Sequence, residues 1–205
     1  MKPQEIEDRS FEIINEEAGN HGFSADQWPI VRRMIHTSAD FEYIESIRIH
    51  PEAVAAGKSA IRRGCMIFTD TNMLRTGVCK RDLEGFNAGV QCLMADPAIA
   101  RMASESGETR AKVAVDTAAD QMAGGIYAVG NAPTALMRLI ELIKQGRANP
   151  ALVIGLPVGF VNTAESKAIL LDVNVPYITN VGRKGGSNVA ASVVNALILL
   201  AMEEG

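Results

Sequence analysis

From residue 65 onward the chain alternates between short apolar runs and longer segments of helical spacing, and this alternation restricts the fold more than any other feature. The runs at 65–69, 90–94, 126–129, 152–156 and 177–180 are four or five residues long, with Gly, Pro or Asp close to each end. Such runs are expected of strands buried on both faces. Between and around them, 52–63, 97–106, 109–122, 133–145, 163–171 and 188–202 carry helical patterns. Strands that alternate with helices imply a mainly parallel sheet covered on both sides. The expected fold is therefore α/β: a flavodoxin-like, doubly wound three-layer sandwich with a five-stranded, mainly parallel sheet. Residues 1–50 stand ahead of it as an N-terminal helical extension, and 1–205 read as one domain. In such sheets ligands lie outside the carboxyl ends of the strands, where the strand order reverses. The unusual loops all follow strands, at Thr69-Asp70-Thr71-Asn72, Gly130-Asn131-Ala132-Pro133-Thr134, Pro157-Val158-Gly159-Phe160 and Gly182-Arg183-Lys184-Gly185-Gly186-Ser187, so they are expected on one rim.

Within the extension, Ile6, Phe11, Ile13 and Ile14 predict a first helix that ends at Gly19. A second follows, with Asp26 as its expected cap and Pro29 in its first turn, where a missing N–H costs little. The segment 46–50 reads as an edge strand or an extended link. A chain of 205 residues can bury roughly 70 per cent of its unfolded surface, so a large core is expected. With 47% hydrophobic and 21% charged residues and a net charge of −4, disorder and non-specific nucleic-acid binding are both disfavoured. No apolar run approaches the ~20 residues of a membrane span, which predicts a soluble, cytoplasmic protein without a membrane partner. Cys65, Cys79 and Cys92 show no metal-ligand or disulfide spacing, and two of them read as buried thiols. No metal site is expected.

Chemistry concentrates in Arg32-Arg33-Met34-Ile35-His36-Thr37-Ser38-Ala39-Asp40. Side chains three and four apart share a helix face, so Arg32, His36 and Asp40 form one row with Arg33 and Thr37 beside it. That row can carry a proton while gripping an acidic ligand, although the same pattern also decorates solvated helices. The 182–187 loop offers glycines, two cations and a helix start, which suits an anion. Lys184 precedes the glycines, so the loop is no triphosphate-binding P-loop; GxGxxG after the first strand and GxSxG are absent too. Arg32, Arg33, Arg48, Arg62, Arg63, Arg75, Arg81 and Arg183 fall on or near the expected rim elements, and guanidinium forks suit a polycarboxylate. His21 and His50 occupy turn or extended positions; His36 is the histidine with company.

Taken together, several stretches resemble the precorrin-8X methylmutases of corrin biosynthesis, including the cobalt-precorrin-8 enzymes. They are Ser10-Phe11-Glu12-Ile13-Ile14, the Arg32 to Phe41 segment, Thr69-Asp70-Thr71-Asn72-Met73, Ala128-Val129-Gly130-Asn131-Ala132-Pro133-Thr134-Ala135-Leu136, Pro157-Val158-Gly159-Phe160-Val161 with Glu165-Ser166-Lys167, and the 182–187 loop. The resemblance implies a cofactor-free isomerase, dimeric, that shifts a methyl group between adjacent carbons of a contracted tetrapyrrole to give hydrogenobyrinate or cobyrinate. It implies that His36 donates or accepts the proton that permits a sigmatropic shift, and that Ser10 touches the substrate. Arg32, Arg33, Thr71, Asn72, Arg183, Lys184 and Ser187 are the further expected substrate contacts. An internal rearrangement needs proton placement and rigid orientation rather than a nucleophile or a metal, which agrees with the motifs found and missing. The competing readings are a non-catalytic tetrapyrrole carrier or chaperone on the same scaffold, which would keep the arginines and need no histidine, and a phosphoryl enzyme using the Gly185-Gly186 turn.

Overall fold

A computed structural model of the protein describes residues 2–203. In chain order the elements are helices α1 (Pro3–Ala18), α2 (Trp28–Ser38) and α3 (Tyr43–Ser46), strand β1 (Ile47–Ile49), α4 (Ala53–Arg62), β2 (Ile67–Thr69), the short helices α5 (Asn72–Gly77) and α6 (Lys80–Glu84), and β3 (Val90–Gln91). There follow α7 (Pro97–Ser106), α8 (Arg110–Ala118), β4 (Ile126–Val129), α9 (Pro133–Lys144), β5 (Leu152–Gly155), α10 (Thr163–Leu170), β6 (Tyr177–Asn180) and α11 (Ser187–Glu203).

The sheet has six strands in the order β1-β6-β5-β4-β2-β3, not five. The sixth is β1, which pairs antiparallel with β6 through Ile47↔Asn180, Arg48↔Thr179 and Ile49↔Ile178. Its three residues give too short an alternation to distinguish a strand from a link, and the long-range partner decides it. Thus the last residues of the expected helical extension belong to the sheet. The other five strands are parallel to their neighbours. Counted along the sheet, chain order reverses between β2 and β4.

Successive strand residues point to opposite faces, and each face has its own core. Ile67, Ile126, Ala128, Leu152, Ile154 and Ile178 join buried residues of α2, α4 and α11, whereas Phe68, Tyr127, Val129 and Val153 join those of α8, α9 and α10. Each large apolar side chain so buried contributes roughly 1.5–3 kcal/mol. Helix α11 lies between the sheet and the N-terminal helices, touching β4 and β5 as well as α2, α4 and α5. A helix enclosed on all sides must be apolar all round, which explains its run of Val, Ala, Ile and Leu.

The layer outside α11 is fastened by polar contacts. Trp28 donates its indole N–H to Asn15 Oδ1 at 2.8 Å, and His21 stacks on Trp28 at 3.7 Å. Pro29 sits in the first turn of α2, as expected, but Asp26 does not cap it. Instead Ser24 and Gln27 exchange side-chain-to-backbone bonds at 3.3 Å, a reciprocal arrangement of the capping-box kind, and Asp26 pairs with Lys58 at 3.8 Å. The three cysteines are free and half-buried rather than buried. Among the described residues no helix is long and apolar enough to cross a membrane.

Candidate active site

Parallel strands place their following loops on one edge, and hydrogen bonds stitch those loops together at the point where strand order reverses. Asp70, one residue past β2 and 2% exposed, accepts backbone N–H groups from Gly130 at 2.9 Å, Asn131 at 2.8 Å and Ala132 at 2.7 Å. Burial pushes its carboxyl above the usual carboxylate range and the three amides oppose that. All three neighbours donate, so the carboxylate is the form that fits. The start of α9 therefore already holds an internal anion, which makes Gly130-Asn131-Ala132-Pro133 a structural helix start. Thr71 caps α5 by accepting the Leu74 N–H at 3.1 Å, and its hydroxyl lies 2.8 Å from that of Ser187 at the start of α11. Gly130 lets these loops meet: a Cβ there would lie 2.6 Å from Ser187 Cα. Gly130→Ala is expected to lower stability by roughly 1–3 kcal/mol through overpacking, read as a drop in urea midpoint.

The loop before α11 is equally constrained. Gly186 N–H bonds Leu156 O at 2.9 Å, Gly159 N–H bonds Arg183 O at 3.2 Å, and a Cβ on Gly185 would collide with Leu156 O at 2.3 Å. Lys184 reaches across to Asp40 at 2.6 Å and Glu42 at 2.7 Å, joining the loop to the α2–α3 connection. Lys184 holds the Asp40 carboxyl below the ordinary value, helped by the Glu42 N–H. A carboxyl depressed in the folded state contributes stability above its unfolded pKa and loses it as pH falls through the folded one. Acid titration is therefore expected to release this contact below about pH 4, and Asp40→Asn should flatten the acid limb of the stability curve. Thr37, Ser38, Asp40, Tyr43, Val158, Lys184, Gly185, Asn188 and Val189 line a cleft of about 440 Å³ here. The first turn of α11 adds N–H groups without intrahelical acceptors.

His36 occupies the last turn of α2 and is exposed, with its ring edge-on to Phe11 at 5.1 Å and 62°. Ser10 and His36 line one cleft of about 270 Å³ together with Ile13, Ile14, Glu17, Ile35, Ala39 and Phe41. Ser10 donates its hydroxyl to Ile6 O at 2.8 Å, which leaves its oxygen lone pairs facing outward from the helix turn. Both clefts draw on the end of α2: His36 and Ala39 line one, and Thr37 and Asp40 the other.

The expected Arg32–His36–Asp40 row forms only in part: Arg32 and His36 both reach Phe11 from α2, but Asp40 leaves the helix. Ala39 adopts a left-handed conformation (φ 53°, ψ 33°) that ends the helix, and Asp40 turns to Lys184 and to the Glu42 N–H at 3.0 Å. Arg33 pairs with Glu7 at 3.1 Å. Arg32 lies over Phe11, 4.3 Å from the ring centroid, in a separate cleft with Ala196, Leu200 and Glu203. Desolvation, then the Arg33 charge, lowers its pKa. Asn72 is exposed and accepts from Arg75 Nε at 3.1 Å; Arg183 is exposed, 5.5 Å from the ring of Phe160. Of the arginines expected at the rim, Arg62 binds Ala201 O at the far end of α11 and Arg63 binds Ser59 and Gly124, because α4 ends at the opposite edge of the sheet. Arg48 folds onto the carbonyls of Glu45 and Ile47. Phe11, Phe41 and Asp70 fall in the stretches that carry the resemblance, but neither they nor Glu17 were expected as site residues. The helical spacing of Ser10, Ile14 and Glu17 was the available signal for the cleft wall; nothing local marks Asp70, whose partners lie about sixty positions away.

The precorrin-8X methylmutase family model matches residues 5–200. Cobalt-precorrin-8 methylmutase of Priestia megaterium is 48% identical over 201 residues, covering 98% of this chain and 89% of that protein. Precorrin-8X methylmutase of Pseudomonas aeruginosa is 39% identical over 196 residues, with 95% and 94% covered. The crystal structure of precorrin-8x methyl mutase from Thermus thermophilus superposes with a TM-score of 0.92 at 46% identity, covering 98% of each chain. The chain belongs to the precorrin-8X methylmutase family.

Proposed function

We propose that this chain is an intramolecular transferase of corrin biosynthesis, moving a methyl group between adjacent ring carbons of precorrin-8X or cobalt-precorrin-8 to give hydrogenobyrinate or cobyrinate. His36 is the proton donor and acceptor, and no cofactor takes part. What carries this assignment is one juxtaposition: the Ser10–His36 cleft and the Asp40–Lys184–Asn188 cleft both take part of their lining from the end of α2. A macrocycle spanning both would put a ring nitrogen beside the imidazole and its carboxylate arms toward the start of α11. His36 and Ser10 then form the central contacts, while Ser187 and Thr71, bonded hydroxyl to hydroxyl and lining neither cleft, stay in the proposal as outer contacts at the start of α11. Arg183 and Lys184 face the arms, although Lys184 already serves two carboxylates. Arg32, Arg33 and Asn72 stay in the proposal as outer contacts, since their own partners or positions hold them back from the two clefts.

The scaffold is flavodoxin-like in this proposal: its five parallel strands run β3-β2-β4-β5-β6, which is the flavodoxin order when counted from β2, with β1 added at the edge. One domain spans 1–205. It acts in the cytoplasm as a homodimer on a tetrapyrrole polycarboxylate, with no nucleic acid and no membrane. The test is to incubate the purified chain with precorrin-8X and, separately, with cobalt-precorrin-8, following the corrin absorption spectrum. Catalytic turnover with either substrate is the expected result; stoichiometric binding without spectral conversion would favour a carrier.

A further inference from the structure

Beneath the 182–187 loop lies a buried cation that the proposed chemistry has not used. Lys167, on α10, is 1% exposed. Its ammonium donates to Asn180 Oδ1 at 2.9 Å, to Gly182 O at 3.0 Å and to Lys184 O. Three donors meet three carbonyl oxygens, one from the end of β6 and two from the loop, and none of these acceptors carries a negative charge. Asn180 completes the arrangement by donating its amide to the same Lys184 carbonyl at 3.0 Å and to Val181 O at 3.3 Å. An ammonium bonded to neutral carbonyls keeps its full charge under the loop. In a site shielded from water that charge acts over longer distances than it would at the surface.

We infer that Lys167 is a positioning residue for the substrate's carboxylate arms, holding the Gly182 and Lys184 carbonyls inward so that the loop and the first turn of α11 present an N–H-rich face. This rests on the proposed function. A loop of this composition has few fixed conformations of its own, because Gly182 (φ 88°) and Gly186 (φ 134°) are free to reorganise. The Lys167 cap, with the Gly186 N–H to Leu156 O bond, selects one of them.

Burial lowers the Lys167 pKa to about 8. The charged groups around it are Glu165 on its own helix, Arg183 and Lys184 on the loop, and Asp40 and Glu42 beyond. Asp40 is held below the usual range and Lys184 above it, so neither changes charge near pH 8. A neutral amine keeps two donors and frees one carbonyl.

The experiment compares full-length wild type, Lys167→Met and Lys167→Gln by steady-state conversion of precorrin-8X from pH 6.5 to about pH 9, and by amide hydrogen exchange over 182–187. In the wild type, KM is expected to rise as pH climbs through about 8, with kcat little changed. Lys167→Met is expected to raise KM roughly tenfold or more at neutral pH, to remove that pH dependence and to speed exchange in the loop, with Lys167→Gln in between. Should Lys167→Met fail to fold, the wild-type KM profile and the pH dependence of its loop exchange decide alone. Unchanged KM and loop exchange in the variants, or a wild-type profile flat through pH 8, would overturn the inference while turnover by the wild type still upheld the proposed function. Absence of wild-type turnover would sink the proposed function, and loop exchange independent of Lys167 and of pH would then sink the positioning role as well.

Discussion

His36→Ala is expected to slow conversion of precorrin-8X by roughly a hundred- to ten-thousandfold while leaving the binding of the tetrapyrrole nearly intact. The imidazole is exposed at the end of α2, braced edge-on by Phe11, and makes no hydrogen bond that the fold depends on among the described residues. Removing it should therefore leave the helix and the core as they are. A positioned acid and base contributes to the transition state alone, so its loss lowers kcat and kcat/KM together. Binding, by contrast, is spread over two clefts and several carboxylate contacts. Stopped conversion with a bound-state absorption spectrum close to that of the wild type would match this account. Conversion within a few-fold of the wild type would remove His36 from the chemistry.

Asp70→Ala carries the largest expected effect on stability. Three backbone N–H groups, from Gly130, Asn131 and Ala132, would lose the carboxylate that they share, the Gly130 bond being buried and the other two part-buried. Orphaning a buried donor costs roughly 1–3 kcal/mol and the two part-buried donors add to it, so a loss of about 3 kcal/mol is expected. Chemical denaturation should show a lower midpoint with an unchanged slope. Because Asp70 fixes the end of β2 against the start of α9, activity should fall with it even under conditions where the variant is folded. A midpoint shift equivalent to less than about 1 kcal/mol would mean that solvent or a rearranged loop takes over those N–H groups.

The strands and the order of the rim loops were legible because each rests on local signals. β4 and β6 begin and end where the apolar runs at 126–129 and 177–180 do, and Pro133 marks the start of α9. What escaped depends on distant partners. β1 is a strand because β6 lies beside it, and three residues cannot announce that. Helices α5 and α6 are one to two turns long, too short for an apolar period to register, although Thr71 supplies a recognisable cap for the first. Asp70 reads as a turn residue, and only the strand order brings the 130–132 amides to it.

The site divides along the same line. Ser10 and His36 reach a common cleft from α1 and α2. The helical row through Arg32, His36 and Asp40 was a sound expectation for a continuous helix, and the left-handed Ala39 interrupts it one residue too early. Charge alone could not sort the arginines. Arg62 and Arg63 follow the path of α4 to the far edge, and Arg33 is consumed by Glu7, whereas Arg183 lies on the loop after β6.

A crystal structure of the chain with hydrogenobyrinate bound would show where the macrocycle lies. A ring nitrogen is expected within hydrogen-bond reach of the His36 imidazole, about 2.6–3.2 Å or through one water, with carboxylate arms directed to the 182–187 loop and the first turn of α11. A macrocycle seated elsewhere, for example against α10 in the cleft of Ala164, Ala168 and Leu171, with His36 facing solvent, would contradict it.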